Sequence, residues 1–524
     1  MIRHVAVLAA IGLLIAAPLS LRERPLAAPA ELTRLVILTP HGADIRREFT
    51  EAFRDYERRE HQRDVDIDWR TPGGTSEITR FMDDRFRAAF AERFPEHRAA
   101  ILGFNQANQD ERTPPAERAA RAAFLASEVG IGADLLFGGG EFAFRTHSDK
   151  GYVVDTGLQA QEPTWFAGAE PIIPQNVSGE TVYDKRGRYY GACFGVFGIA
   201  YSPDRLAELR IAPPTGWADI ADPAYRGQLT LTDPTKSGAA ATTFERILQQ
   251  RMAAHAADLP ADLAAGWQDG FSVIKRLVAN SRWITDSASK PTRDAVRGDC
   301  VAGMAIDFQA KIESAYAGGH DGTPARLRFV VPVGGTSVSS DPIAVLRGAP
   351  QPALAAEFLH FVLSPDGQRL WNQRLGTPGG PRHIELRRYP VRRDLVGPGQ
   401  RDLRSDPDED PFAIAQGFTY HREWTGRYYL LINTLVKTVL LDPRSELTTA
   451  WDAICRAGGP TRVPQAWAAF CWLPVSFEQA AAVQLKIDAL RKADPVGWIR
   501  QQREWVEQAT EHYRLATTLA ESGQ

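Results

Sequence analysis

Apolar residues recur along the first 400 positions in two rhythms, and the exchange between them predicts the fold. "RLVILT" (34–39) is an apolar run of strand length. In the following "PHGADIRREFTEAFRDYERRE", Ile45, Phe49, Phe53 and Tyr56 share one helical face, with charges opposite. "VDIDW" alternates Val65, Ile67 and Trp69 as a strand does. After a glycine turn, "TPGGTSE", a second helical face carries Ile78, Phe81, Met82, Phe86 and Phe90, and "GADLLFGGG" (132–140) is a strand ending in glycines. Strands exchanged with helices in this way predict an α/β protein with a parallel sheet covered by helices. Residues 91–130 interrupt the pattern with a polar loop and an Ala/Arg helix, expected to be a solvated surface insertion without chemistry.

Further on, "RYYGACFGVFGIAYS" (188–202) and "RLRFVVPVGGTSVSSDPIAVLRG" are long extended runs that glycines allow to bend. "RWITDS" and "CVAGMAIDF" are two more strands, with "SKPTRDAVRGD" as a helix between them. In "QPALAAEFLHFVLSPDGQRLWNQRLGTPGG", Ala355, Phe358, Leu359 and Val362 form one apolar face, and Ser364 and Pro365 open a second helix. Its Leu370, Trp371 and Leu375 turn inward and Gly376 ends it. Past the linker "RSDPDEDP" lie six of the 12 tryptophans, so residues 400–524 predict a helical extension packed on the main body.

A length of 524 residues implies two to four domains. The net charge of −3 gives no case for nucleic acid or an acidic membrane surface, and a monomer is expected. At the N-terminus, Arg3 and His4 precede "VAVLAAIGLLIAAPLSL", and "LAAPA" offers cleavage after Ala30. Residues 1–30 thus read as a signal peptide of an exported, periplasmic protein, with an uncleaved short anchor as the alternative. For the four cysteines, export and an even count predict the bridges Cys455–Cys471 and Cys193–Cys300; four buried thiols are the other arrangement.

The sequence carries no HExxH, G-x-S-x-G, Walker loop or G-x-G-x-x-G opening a helix after a strand, so an enzyme is not expected. What recurs instead is a binding device. Glycines and hydroxyls cluster at four strand ends: "TPHGAD" with His41 and Gly42, "TPGGTSE" with Gly74 and Thr75, "FGGGE" with Gly139 and Glu141, and "DPTKSGAA". Open sheets bind ligands there. In the last loop, Thr235, Lys236, Ser237, Gly238 and Ala239 precede a helix whose free N–H groups suit an anion, although Ser237 can also serve as a plain cap. Asp307 ends an apolar strand, where a carboxylate requires a partner.

"VILTPHGADIRREFTEAF", "GADLLFGGGEF", "FGIAYSPDRLAELRIAPPTGWADIADPAYRGQLTLTDPTKSGAAAT" and "FLHFVLSPDGQRLWNQRLGTPGG" together resemble the periplasmic solute-binding proteins of ABC importers. The branch is the one with ferric-ion and phosphonate or sugar-phosphate binders. The resemblance covers residues 33–395 and implies a bilobal, type II-like periplasmic-binding-protein fold with two crossover strands. Lobe 1 would hold residues 33–197 and 336–398, and lobe 2 residues 198–335, leaving 400–524 as the extension. It implies capture of a small solute in the cleft for an inner-membrane permease, with no cofactor required. That solute would be Fe(III) with an anion, or a phosphorylated or carboxylated molecule. His41, Glu141 and Asp307 would be the metal ligands. "MAIDFQAK" places Asp307-Phe308 where ferric binders carry adjacent tyrosines, which counts against iron. A ligand-sensing adaptor for a membrane receptor, and an enzyme on the same fold, are the alternatives.

Overall fold

The computed structural model describes residues 33–107, 109–256, 262–318 and 325–524; the expected signal peptide lies outside them. Among the described residues a ten-stranded mixed sheet joins the two-residue strand Val153–Val154 to nine others: β1 (Thr33–Leu38), β2 (Val65–Arg70), β3 (Leu135–Phe137), β4 (Tyr190–Tyr201), β5 (Leu229–Thr232), β6 (Ser281–Thr285), β7 (Ala302–Ile306), β8 (Arg328–Val330) and β9 (Val338–Leu346). Their order is β2-β1-β3-β9-β4-β7-β5-β6, with β8 also on β4. Pairing is parallel in β1 with β2 and β3, and in β5 with β6 and β7.

The long strand β4 joins the two halves. Tyr190–Val196 pairs antiparallel with β9, whereas Phe197–Tyr201 pairs antiparallel with β7. All twelve residues of β4 are buried, which accounts for its unbroken apolar run. Its partner β9 is irregular between Asp341 and Pro342. Proline cannot donate to the ladder, so it sits at this break.

Helices α1 (Ala43–Glu60), α2 (Thr75–Arg93), α3 (Pro115–Leu125) and α4 (Glu141–Lys150) belong to the first half. Buried Ile45, Phe49 and Phe53 on α1, and Ile78, Met82, Phe86 and Phe90 on α2, follow the four-residue spacing of the sequence. Strand β1 is covered on both faces: Leu35 and Ile37 meet α1, while Val36 and Leu38 meet α2. The segment 91–130 is no mere solvated insertion. Phe104 and Phe124 are fully buried and pack with Phe86, Phe90 and Tyr152. Apolar residues too sparse to form a periodic face nonetheless complete this core.

In the second half, α5 (Gly238–Ala256), α6 (Leu263–Asn280) and α7 (Asp307–Tyr316) flank β5–β7. Helices α8 (Pro352–Leu363) and α9 (Pro365–Asn372) return to the first half, where Ser364 Oγ accepts from the Gly367 amide. The extension forms α10 (Arg444–Arg456), α11 (Pro464–Cys471), α12 (Ala480–Ala493) and α13 (Pro495–Glu521). It shares one core with the second half, in which Trp267, Ile274 and Leu248 meet Leu435, Trp451 and Tyr513.

All four cysteines are free thiols, which corrects both expected disulfides. Cys193 lies in the β4–β9 part of the sheet, while Cys300 accepts a 3.0 Å hydrogen bond from Thr230 Oγ1 in the other half. The Cys455 thiol is hydrogen-bonded to Arg226, and Cys471 faces Lys275 and Arg276. Closeness in sequence did not bring that last pair together, because α10 and α11 carry their thiols to different neighbours.

Candidate functional site

The two halves meet at a buried cluster of charge around Arg388. The backbone that follows α9 turns back here: the Arg388 amide donates to the Trp371 carbonyl at 2.8 Å. Arg388 Nη1 donates to Asp341 Oδ2 at 2.7 Å, and the guanidinium lies 4.8 Å from the Phe308 ring and 5.7 Å from the Trp371 ring. Asp341, beside the break in β9, accepts through Oδ1 from the Gly139 and Gly140 amides. The glycine loop that the sequence offered to a ligand is therefore partly filled by a carboxylate of the protein. Burial raises the Asp341 carboxyl, but Arg388 and the other partners pull it down to about 2.

His41 enters from the end of β1. Its ring packs edge-on to Phe137 at 4.7 Å and lies 6.1 Å from that of Trp371. A side chain at Gly138 would put its Cβ 2.6 Å from His41 Nε2, and Gly138 has φ +90°; only glycine allows this packing. Burial brings the imidazole down to about 4, against an opposing pull from Asp341, so it is neutral at pH 7.

Asp307 enters from the other half as the first residue of α7. It is completely buried, and neither oxygen has a hydrogen-bond partner. Its nearest cation, Lys311 Nζ, stands 3.9 Å from Oδ2. Burial raises the carboxyl to about 6, with Lys311, Arg388 and, more weakly, the Phe308 amide acting against it. Lys311 is drawn elsewhere: it bonds Glu409, lies 3.9 Å from Asp406 Oδ2, and has its ammonium 4.0 Å from the centre of the Tyr389 ring. Glu409 and Asp406 belong to the segment that enters the extension, and Glu409 also accepts from Tyr389 Oη.

Buried polar atoms without a partner gather in this cluster: His41 Nε2, Trp371 Nε1, Arg388 Nε and both Asp307 oxygens. Such atoms are costly when left unmet, and a water molecule or a bound polar group could each meet them.

Other predicted site residues stand apart. Lys236 is exposed and pairs with Asp286 at 2.9 Å. The Thr235 amide and hydroxyl both donate to Asp233 Oδ1, the Ser237 amide donates to the Asp233 carbonyl, and Ser237 Oγ accepts from Ala240. The loop expected to hold an anion is thus largely satisfied by its own Asp233, with Gly238 and Ala239 opening α5 beside it. Gly42 and Gly74 are exposed helix caps, and Thr75 starts α2 near Gly139. Glu141 accepts from Tyr189 Oη at 2.8 Å and faces Arg145. Among the described residues, one group of three metal-capable side chains, Glu57, His61 and Glu357, has its ligand atoms within 4.8 Å of one another; His41, Glu141 and Asp307 form no such group. A cavity of about 410 Å³ lies on the extension, lined by Arg422, Glu423, Gly426 and Arg427; none of the predicted ligand residues lines it.

Arg388, Trp371, Asp341 and Lys311 were not singled out from sequence. Asp341 had a usable signal, a carboxylate in a strand-like apolar run directly before proline. Arg388 had none, because burial of one arginine in "ELRRYPVRRD" is not visible in its pattern.

The sequence model of a family described as bacterial extracellular solute-binding protein matches residues 154–402. An uncharacterized protein of Haemophilus influenzae is 28% identical over 191 residues, covering 36% of this chain and 49% of that protein. The phosphoglycerate transport regulatory protein PgtC of Salmonella typhimurium is 26% identical over 205 residues, covering 39% of this chain and 44% of that protein. The chain thus spans about half the length of these curated relatives or less. Among solved structures, the periplasmic binding protein AfuA from Actinobacillus pleuropneumoniae, with fructose-6-phosphate bound, has a TM-score of 0.41 at 21% identity, covering 65% of this chain and 82% of AfuA. Iron-bound HitA from Pseudomonas aeruginosa has a TM-score of 0.47 at 14% identity, covering 76% of this chain and 98% of HitA. The match over residues 154–402, which include β4, β9, Asp307, Asp341 and Arg388, makes this part of the chain similar to the bacterial extracellular solute-binding proteins.

Proposed function

We propose that the protein captures a small polar solute at the junction of its two halves and delivers it, outside the cytoplasm, to an ABC-importer permease in the inner membrane. One observation carries this reading. His41 and Trp371 from one half and Asp307 from the other surround Arg388 with buried polar atoms that lack partners. A structural core would satisfy such atoms internally; a capture site satisfies them on closing over its solute. No reactive pair is assigned to the site, which acts by holding.

A second reading, ligand sensing for a membrane receptor, is supported by the name of the Salmonella relative, a transport regulatory protein. Among the described residues no helix is long and apolar enough to cross a membrane.

Capture is tested by native mass spectrometry of protein purified from its own host. A retained solute is expected in the wild type and is expected to be lost in Arg388→Met. Retention of the same solute by that variant would remove the site from this junction.

A further inference from the structure

Where α1 packs on α8, Phe53 meets Phe358 edge-on, with ring centres 4.9 Å apart. Glu57 stands one turn beyond Phe53 on α1, and Glu357 directly precedes Phe358 on α8. The packing that buries the rings thus also brings two carboxylates together. Helix α1 stops at His61, whose amide donates to the Glu57 carbonyl at 2.9 Å. That bond sets His61 one turn past Glu57, and the ligand-capable atoms of Glu57, His61 and Glu357 all lie within 4.8 Å of one another.

Arg63 is the cation that the chain itself supplies here. Its Nε donates to Glu57 Oε2 at 2.9 Å, and its Nη2 bridges Glu57 Oε2 and Glu357 Oε2. One guanidinium faces two carboxylates, so a negative charge is left over. Glu57 is fully buried, and its other oxygen, Oε1, has no hydrogen-bond partner. A buried carboxylate oxygen left unmet is costly.

We infer that Glu57, His61 and Glu357 bind a divalent transition-metal ion of the zinc class, through Glu57 Oε1, the His61 imidazole and the Glu357 carboxylate, while Arg63 keeps the Oε2 atoms.

The donor set decides the class of ion. Imidazole joined to carboxylates suits zinc and its neighbours, whereas magnesium and calcium take oxygen ligands. Zinc holds such ligands at about 2.0–2.2 Å, so atoms already gathered within 4.8 Å need only small side-chain rotations to reach it. Three protein ligands leave a fourth position for water. The ion would lie at the C-terminal end of α1, where the helix dipole favours positive charge. The 18 residues of α1 span about 27 Å and begin just after His41, so this site is remote from the Arg388 junction and does not rest on the capture reading. Bound there, the ion would clip α1 to α8.

The test uses full-length protein without an affinity tag, stripped with a chelator and titrated with zinc chloride by calorimetry. The wild type should bind one zinc ion per chain and melt at a temperature that rises with zinc concentration; magnesium and calcium chloride should do neither. Because the four thiols are free and could also hold zinc, X-ray absorption at the zinc edge identifies the donors. Nitrogen and oxygen at about 2.0–2.2 Å are expected, and sulfur at about 2.3 Å would place the ion on cysteine instead. His61 is exposed and outside the Arg63 ion pair, so His61→Ala should fold like the wild type yet bind zinc about tenfold or more weakly. Glu357→Gln should show the same loss. Undiminished affinity in both variants, sulfur as the main donor, or equal binding of magnesium overturns the assignment. A wild type that takes up no zinc also overturns it, and leaves Glu57 Oε1 to water.

Discussion

Asp307 is a fully buried carboxylate to which no cation is hydrogen-bonded. Its carboxyl moves from the ordinary 3.8 to about 6, chiefly through burial. The folded state therefore holds this proton more tightly than the unfolded chain does. The stability this provides is complete below pH 4 and is lost as pH rises through 6. Asp307→Asn removes the cost of the buried charge, so at pH 8 the variant should be more stable by about 3 kcal/mol. Near pH 4 the two proteins should unfold at the same denaturant concentration. A variant that is less stable at pH 8 would show that the ionised carboxylate has a partner. The cysteines give a second expectation: denatured, unreduced protein should titrate as four thiols, since all four are free. Two or none would reinstate a bridge. Asp307 could be picked out because a carboxylate ending an apolar strand is conspicuous in sequence. The thiols misled because count and compartment say nothing about where helices point side chains, and Arg388 stayed hidden because burial of a charged residue depends on the assembled fold.

At the level of elements, the amphipathic helices and both long strands were legible, because a face buried every four residues and an unbroken apolar run each leave a pattern. What left no pattern is how the elements of the two halves are tied. Arg246 on α5 is almost fully buried and reaches Glu180 in the first half at 2.8 Å and Glu245 at 2.9 Å. Its Nε donates to Ser337 Oγ at 2.6 Å, and its guanidinium covers Tyr420 at 4.0 Å. Tyr420 in turn bonds Glu245 at 2.9 Å, and its amide donates to the Ser178 carbonyl at 2.7 Å. This arginine thus joins both halves and the extension. Arg246→Met leaves Glu180 and Glu245 buried without their cation, and should cost about 3–5 kcal/mol, read as a lower denaturant midpoint. Adding Glu180→Gln should recover part of that loss, since one stranded charge is then removed. Equal loss in the single and double variants would mean that the ion pair contributes nothing of its own.

For the whole molecule, the extension is the feature that changes how capture would work. Two-lobed binding proteins are expected to open and close about their crossover strands. Here the chain beyond residue 400 crosses from one half to the other at two places. Glu409 grips Lys311 of α7 beside Tyr389, and the stretch from Tyr420 to Thr425 grips Glu245 beside Glu180 and Ser178. Farther on, Phe142 stacks on Tyr429 at 4.8 Å. The extension also shares its apolar core with the second half, so it is expected to move with that half as one body. Opening must therefore break polar ties at one end while the shared core stays intact. These ties are expected to hold the solute-free protein near the closed arrangement. Small-angle scattering should then show only a slight decrease in radius of gyration when the wild type takes up its solute. Glu180→Gln with Glu409→Gln loosens both ties, so the solute-free double variant should be visibly larger and should contract clearly on binding. A wild type that contracts as much as the double variant would show that the extension rides on the moving half without restraining it.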